Sequence, residues 1–193
     1  LIYGMGERQI LEIASALNAG ISAEDITDVR GTAKKKKNLD MVWDYIEIPS
    51  SEQVAEDKKA FAEAFRTEYL EQDPVRGKKI VQKCNTQYIL QNPPALPLSE
   101  QEMDEIYALP YQRTWHPIYN KAGGVPAIQE VRFSLVSHRG CFGGCNFCAI
   151  VSHQGRIIQA RSHASLLAEA NQMIESPEFK GYIHDVGGPT ANF

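Results

Sequence analysis

The period of apolar positions changes once within the first twenty residues. Leu1-Ile2-Tyr3 reads as a short apolar strand and Gly4-Met5-Gly6 as a turn. Ile10, Leu11, Ile13, Ala14 and Leu17 then form one stripe of a helix, which Gly20 ends at its C′ position. A lone strand and helix cannot bury both their faces, so further partners are expected upstream of Leu1. Residues 30–48 show no clear period. The run Lys34-Lys35-Lys36-Lys37 reads as a solvated loop, with a phosphate or nucleic-acid contact as the alternative.

Pro49-Ser50-Ser51-Glu52-Gln53 opens the longest predicted helix, with Ser50 and Gln53 spaced as a capping box. Val54, Lys58, Phe61, Ala62, Phe65 and Tyr69 recur at helical spacing until Pro74 and Gly77, and the aromatics are expected in the core. Gln87-Tyr88-Ile89-Leu90 reads as a strand. Asn92-Pro93-Pro94-Ala95-Leu96-Pro97 is an extended connector, because proline lacks the backbone donor and fixes φ. Ser99 and Glu102 make a second capping box on a short helix ending near Ala108. Residues 109–119 are irregular and punctuated by proline.

The clearest strand is Val131-Arg132-Phe133-Ser134-Leu135-Val136, and a glycine-rich loop follows it directly. Arg156-Ile157-Ile158-Gln159-Ala160 is a second extended piece. Ser162 caps a helix whose stripe is Leu166, Leu167, Ala170, Met173 and Ile174. Tyr182-Ile183-His184-Asp185-Val186 is the next strand, closed by Gly187-Gly188-Pro189. Strand, loop, helix and strand make a βαβ unit, so its two strands should be parallel. The pattern as a whole is α/β.

Composition narrows the function classes. Of 193 residues, 43% are apolar and 23% charged, which is globular. No apolar run approaches the roughly 18 residues of a membrane span. Twenty Lys+Arg against 24 Asp+Glu give a net charge of -4, with no general pull toward nucleic acid or anionic lipid. Leu1-Ile2-Tyr3 has no basic n-region, so it is not read as a signal peptide but as the middle of a longer protein. Three of the four cysteines, Cys141, Cys145 and Cys148, fall within eight residues, and Cys84 stands apart. That spacing suits a metal site in a reducing cytoplasm better than a disulfide scaffold.

Three thiolates so close in sequence can converge on one inorganic centre. A cubane held by three leaves one iron open, whereas the usual electron carrier uses four cysteines. Gly140, Gly143 and Gly144 allow positive φ, and their amides can face sulfide. Spacing alone also permits zinc, with His138 or His153 completing a Cys3His set, or buried free thiols. Cys84 is read as a small core residue.

Cys141-x-x-x-Cys145-x-x-Cys148 after a strand, with Phe147 before the last cysteine, resembles the signature of radical S-adenosylmethionine (radical SAM) enzymes. Residues 142–150 and 153–162 resemble the YgiQ family more specifically, as do Asn92-Pro93-Pro94, Leu109-Pro110-Tyr111, His116-Pro117 and Asp185-Val186-Gly187-Gly188-Pro189-Thr190-Ala191-Asn192. The resemblance implies a partial radical SAM (β/α) barrel from about residue 129 to 193. It implies a helical and proline-rich connector over 33–128, and the end of a Rossmann-like, cobalamin-binding-type domain over 1–32. It implies that Cys141, Cys145 and Cys148 hold a [4Fe–4S] cluster whose fourth iron is chelated by S-adenosylmethionine. Main chain near Phe147 would meet the adenine, and Gly187 and Gly188 the methionine amino group. Pro189 stands where most radical SAM enzymes have Glu, so any role of that carboxylate is lost. The implied reaction passes one electron from the reduced cluster to the sulfonium. The S–C5′ bond breaks, methionine leaves, and a 5′-deoxyadenosyl radical takes hydrogen from an unknown substrate. The electron would come from a flavodoxin or ferredoxin. No catalytic base is implied; His138, His153 and Arg161 are either local hydrogen-bonders or functional groups. These 193 residues alone are not expected to turn over substrate. The competing reading is a zinc-stabilised interaction module whose lysine run contacts nucleic acid.

Overall fold

The structure is a computed structural model and describes residues 1–189. Thr190, Ala191 and Asn192 of the quoted motif lie outside the described residues. The fold mixes helices and sheets, as an α/β pattern requires. Its contacts divide the chain into two units, Leu1–Pro97 with Gly144–Arg156, and Leu98–Gly143 with residues 157 onward.

In the first unit, α1 (Glu7–Asn18) precedes β1 (Ala33–Lys36), β2 (Tyr45–Ile48), α2 (Ser51–Glu56), α3 (Lys58–Leu70), β3 (Lys79–Cys84) and β4 (Gln87–Gln91). The strands form one sheet in the order β1-β4-β3-β2. β1 and β3 run antiparallel to β4, and β2 runs parallel to β3. Residues 33–91 therefore hold four strands and two helices. The lysine run is a strand rather than a loop. Lys34 pairs with Leu90, and its Nζ donates to the carbonyl of Glu24 at 3.0 Å. Lysine's aliphatic stem tolerates a half-buried edge while its head reaches polar atoms. Leu1-Ile2-Tyr3 finds a partner downstream: Tyr3 N–H donates to Gly31 O, and Ala33 N–H to Leu1 O, each at 2.9 Å.

The two capping boxes form as predicted. The long helix does not run unbroken. At Asp57 the backbone turns extended (φ -121°, ψ 118°), and its carboxylate accepts from Lys59 N–H as the cap of α3. The core face of α3 is Ala64, packed with Ile48, Ile80 and Val54. Phe61, Phe65 and Tyr69 lie on an exposed face instead, with Phe65 stacked on Tyr69 and the Arg156 guanidinium 4.7 Å from the Tyr69 ring. A small residue lets the helix approach the sheet, which turns the larger side chains outward. On α1, Gln9 is buried while Leu11 stays 71% exposed. A second core joins Val42, Val81 and Leu90.

Asn92 staples the start of this unit. Its buried amide donates to the carbonyls of Thr27 and Val29 and to Thr32 Oγ1 at 2.8–3.1 Å, and its own carbonyl accepts from Tyr3 Oη. Burial pushes the Tyr3 phenol up. Asn92→Ala would take the amide donor from the Thr27 carbonyl and Thr32 Oγ1, while the Val29 carbonyl still accepts from Thr32 Oγ1. The expected cost is about 2 kcal/mol, read as a lower urea midpoint at unchanged m.

The second unit contains α4 (Glu100–Tyr107), a 3-10 turn (Pro117–Ala122), α5 (Ile128–Val131), β5 (Ser134–Val136) and β6 (His138–Arg139). After α6 (Ile150–Gln154), which belongs to the first unit, come β7 (Gln159–Ala160), α7 (His163–Ile174) and β8 (Asp185–Gly187). β5 and β8 are parallel, with Leu135 opposite Val186, as the βαβ pattern predicts. Phe133, Leu135, Leu166 and Met173 form the core between strand and helix. The strands are shorter than predicted, since residues 128–131 are helical.

Candidate functional site

The chain leaves β5 through Ser137 into β6, where His138 and Arg139 pair with Ala160 and Gln159 of β7. Gly140 then turns it with φ 86°. A Cβ there would lie 2.2 Å from the Ile157 carbonyl oxygen, so both the dihedral and the close approach demand glycine. Gly144 is outside the left-handed region and has open space around it. Of the glycines expected to take positive φ, Gly140 does so.

Cys141 is half-buried, and Gly143 N–H points at its Sγ at 3.4 Å. Cys145 is exposed, and its carbonyl accepts from Cys148 N–H at 3.1 Å in a tight turn that leads into α6. All four cysteines are free thiols. Phe147 is 93% exposed. Cys141 belongs to the second unit, Cys145 and Cys148 to the first. Among the described residues no three His, Cys, Asp or Glu side chains are gathered around a point that could hold a metal ion. The donor chemistry still fits an iron–sulfur centre: three soft thiol ligands on one loop, with an amide directed at one of the sulfurs.

His138 is buried, and its Nδ1 lies 2.9 Å from Ser137 Oγ. Its ring packs beneath Gly188, where a Cβ would come within 2.7 Å of Cε1 and Nε2. His153 is exposed in the last turn of α6. Arg161 is 1% exposed, ion-paired with Glu169, and lies 4.2 Å over the Tyr107 ring. Its Nη1 also donates to the Val136 carbonyl at 3.1 Å, and Arg113 holds the other Glu169 oxygen. Sequence reasoning missed Tyr107, Arg113 and Glu169. Arg161 precedes its helix, so no i,i+4 spacing announces its partner on α7.

Pairing of β5 with β8 brings Val136 opposite Gly187, and Ser137 N–H donates to Gly187 O at 2.8 Å. The carboxyl end of β5 therefore leads through Ser137 and β6 to the cysteine loop, and the carboxyl end of its parallel neighbour β8 carries the Gly187-Gly188 turn. Such ends are where open α/β sheets and barrels bind their ligands.

Residues 1–134 match the family model described as "Radical SAM N-terminal". The chain belongs to the YgiQ/UPF0313 radical SAM family. It is 57% identical over all 193 residues to a "UPF0313 protein" of Clostridium botulinum (strain Loch Maree / Type A3), of which it covers 30%. It is 52% identical to "UPF0313 protein CPE1196" of Clostridium perfringens (strain 13 / Type A), covering 29% of that protein. The chain thus spans less than a third of the length of these relatives. No solved structure matches it. Among the described residues no helix is long and apolar enough to cross a membrane.

Proposed function

We propose that this radical SAM family member is part of an enzyme that binds a [4Fe–4S] cluster through Cys141, Cys145 and Cys148. The observation that carries this reading is the β5–β8 pair, with one strand leading through Ser137 and β6 to the three-cysteine loop and the other ending in the Gly187-Gly188 turn. A cluster with S-adenosylmethionine would supply reductive cleavage to a 5′-deoxyadenosyl radical. The chain's own part is to hold the irons through the three thiols. It also bars side chains where backbone must come close, at Gly140 and Gly188, and offers main chain near Phe147 and at Gly187-Gly188 to the nucleotide. β5, α7 and β8 are read as the first unit of a (β/α) barrel, and residues 1–32 as the end of a Rossmann-like domain whose exposed α1 stripe packs on further chain. A cytoplasmic flavodoxin or ferredoxin is the proposed electron source.

The zinc reading makes a different prediction. His138, its nearest imidazole in sequence, has its ring committed to Ser137 and Gly188. Anaerobic reconstitution separates the two. Iron and sulfide in similar amounts, with broad visible absorption that bleaches on reduction, are expected; stoichiometric zinc without sulfide would overturn the proposal.

A further inference from the structure

The two glycines of the turn after β8 are glycines for different reasons. At Gly187 the nearest atom to an added Cβ is Asp185 Oδ1, at 4.0 Å. Nothing in the described chain forbids a side chain there. At Gly188 a Cβ would sit 2.5 Å from the His138 carbonyl oxygen and 2.7 Å from the imidazole Cε1 and Nε2. Neither glycine lies in the left-handed region, so the demand at Gly188 is one of space. Its backbone rests directly on His138.

His138 is in turn fixed from several sides. It is 1% exposed, paired with Ala160 across β6 and β7, and its ring lies against Ser137 Oγ. Ser137 is held as well: its N–H donates to Gly187 O at 2.8 Å, and its carbonyl accepts from Arg161 N–H at 2.9 Å. The Ser137-His138 dipeptide therefore grips both glycines, one by a hydrogen bond and the other by contact. It stands three residues before Cys141. Close packing of this kind transmits small displacements rather than absorbing them.

We propose that His138 is a positioning residue for S-adenosylmethionine. Its buried ring is the platform that sets the height of the Gly187-Gly188 main chain from which the methionine group is recognised. This rests on the radical SAM reading above. The ring does not touch the nucleotide or the cluster; it acts through Gly188. A displacement of about 1 Å at such a support costs up to about a hundredfold in a precisely oriented site.

The test is a double-mutant cycle in the full-length protein, reconstituted without oxygen and kept with the cluster oxidised so that no cleavage takes place. S-adenosylmethionine affinity is measured by calorimetry, with iron and sulfide content followed in parallel. His138→Ala and Gly188→Ala should each weaken binding about tenfold or more while cluster content stays at the parent level. The combined variant should lose less than the product of the two single losses, because the imidazole that His138→Ala removes is part of what a Cβ at Gly188 meets, the His138 carbonyl being the rest. His138→Gln, which keeps a buried polar side chain of similar reach, should recover most of the affinity. Unchanged affinity in His138→Ala, or losses that multiply in the combined variant, would overturn the proposal. So would loss of cluster from both His138 variants, since the residue would then serve the cysteine loop and not the turn. A parent protein that takes up no iron and sulfide, or takes them up without binding the nucleotide, would overturn the radical SAM reading and this inference with it.

Discussion

Alanine at any one of Cys141, Cys145 or Cys148 is expected to strip the reconstituted protein of iron and sulfide together, whereas Cys84→Ala keeps both. The asymmetry follows from ligand count. A centre held by three protein thiolates has no spare, and removing one leaves two points of attachment for a cluster that still needs a third. Changes outside the ligand shell already cost about 10–100-fold in metal affinity, so losing a ligand itself costs at least that. Cys84 closes β3, with its Sγ 3.9 Å from the Gln82 carbonyl, and stands 57 positions before Cys141 in the sequence. Metal and sulfide analysis after anaerobic reconstitution decides the matter. A Cys141→Ala protein with a full complement of iron would remove the loop from the cluster site.

Glu169→Ala is expected to be the most damaging single change to the second unit, costing about 3–5 kcal/mol. Glu169 is the shared anion of two arginines, and Arg161 is a cation with a fully buried side chain. Without the carboxylate, Arg161 keeps Ser165, the Val136 carbonyl and the Tyr107 ring, none of which carries charge. Asp104 still acts on the guanidinium through space but is not ion-paired with it, so the desolvated cation loses the anion in contact with it. Replacing both partners with apolar residues of similar volume, as in Arg161→Met with Glu169→Leu, removes the buried charge as well and should cost far less. Equilibrium unfolding in urea compares the variants. A Glu169→Ala loss below about 1 kcal/mol, the scale of an exposed pair, would mean that water reaches the network.

Local signals explain what could be read before any coordinates. Ser50 with Gln53 and Ser99 with Glu102 work over three residues, and both form. The parallel β5–β8 pair follows from connection length, since a helix between two strands favours that arrangement. What escaped depends on partners distant in sequence. Continuous apolar spacing hid the break at Asp57. The same spacing placed Phe61, Phe65 and Tyr69 inside, whereas the sheet accepts Ala64. Lys34 belongs to a strand because Leu90, fifty-six positions later, pairs with it. At the candidate site, the cysteine spacing was fully legible. The support beneath Gly188 was not, because a glycine carries no mark of what lies under it.

The strand of lysines also bears on how copies of the protein treat one another. β1 borders the four-stranded sheet and carries Lys34, Lys35 and Lys36 in succession. An unguarded border of this kind is a template on which a second molecule can zip its own backbone. Lys34 and Lys36 donate to the carbonyls of Glu24 and Asp40 beside the strand, so a like border brought against this one would meet like charge. The safeguard is ionic, so it weakens as salt shortens the screening length toward about 3 Å at molar concentration.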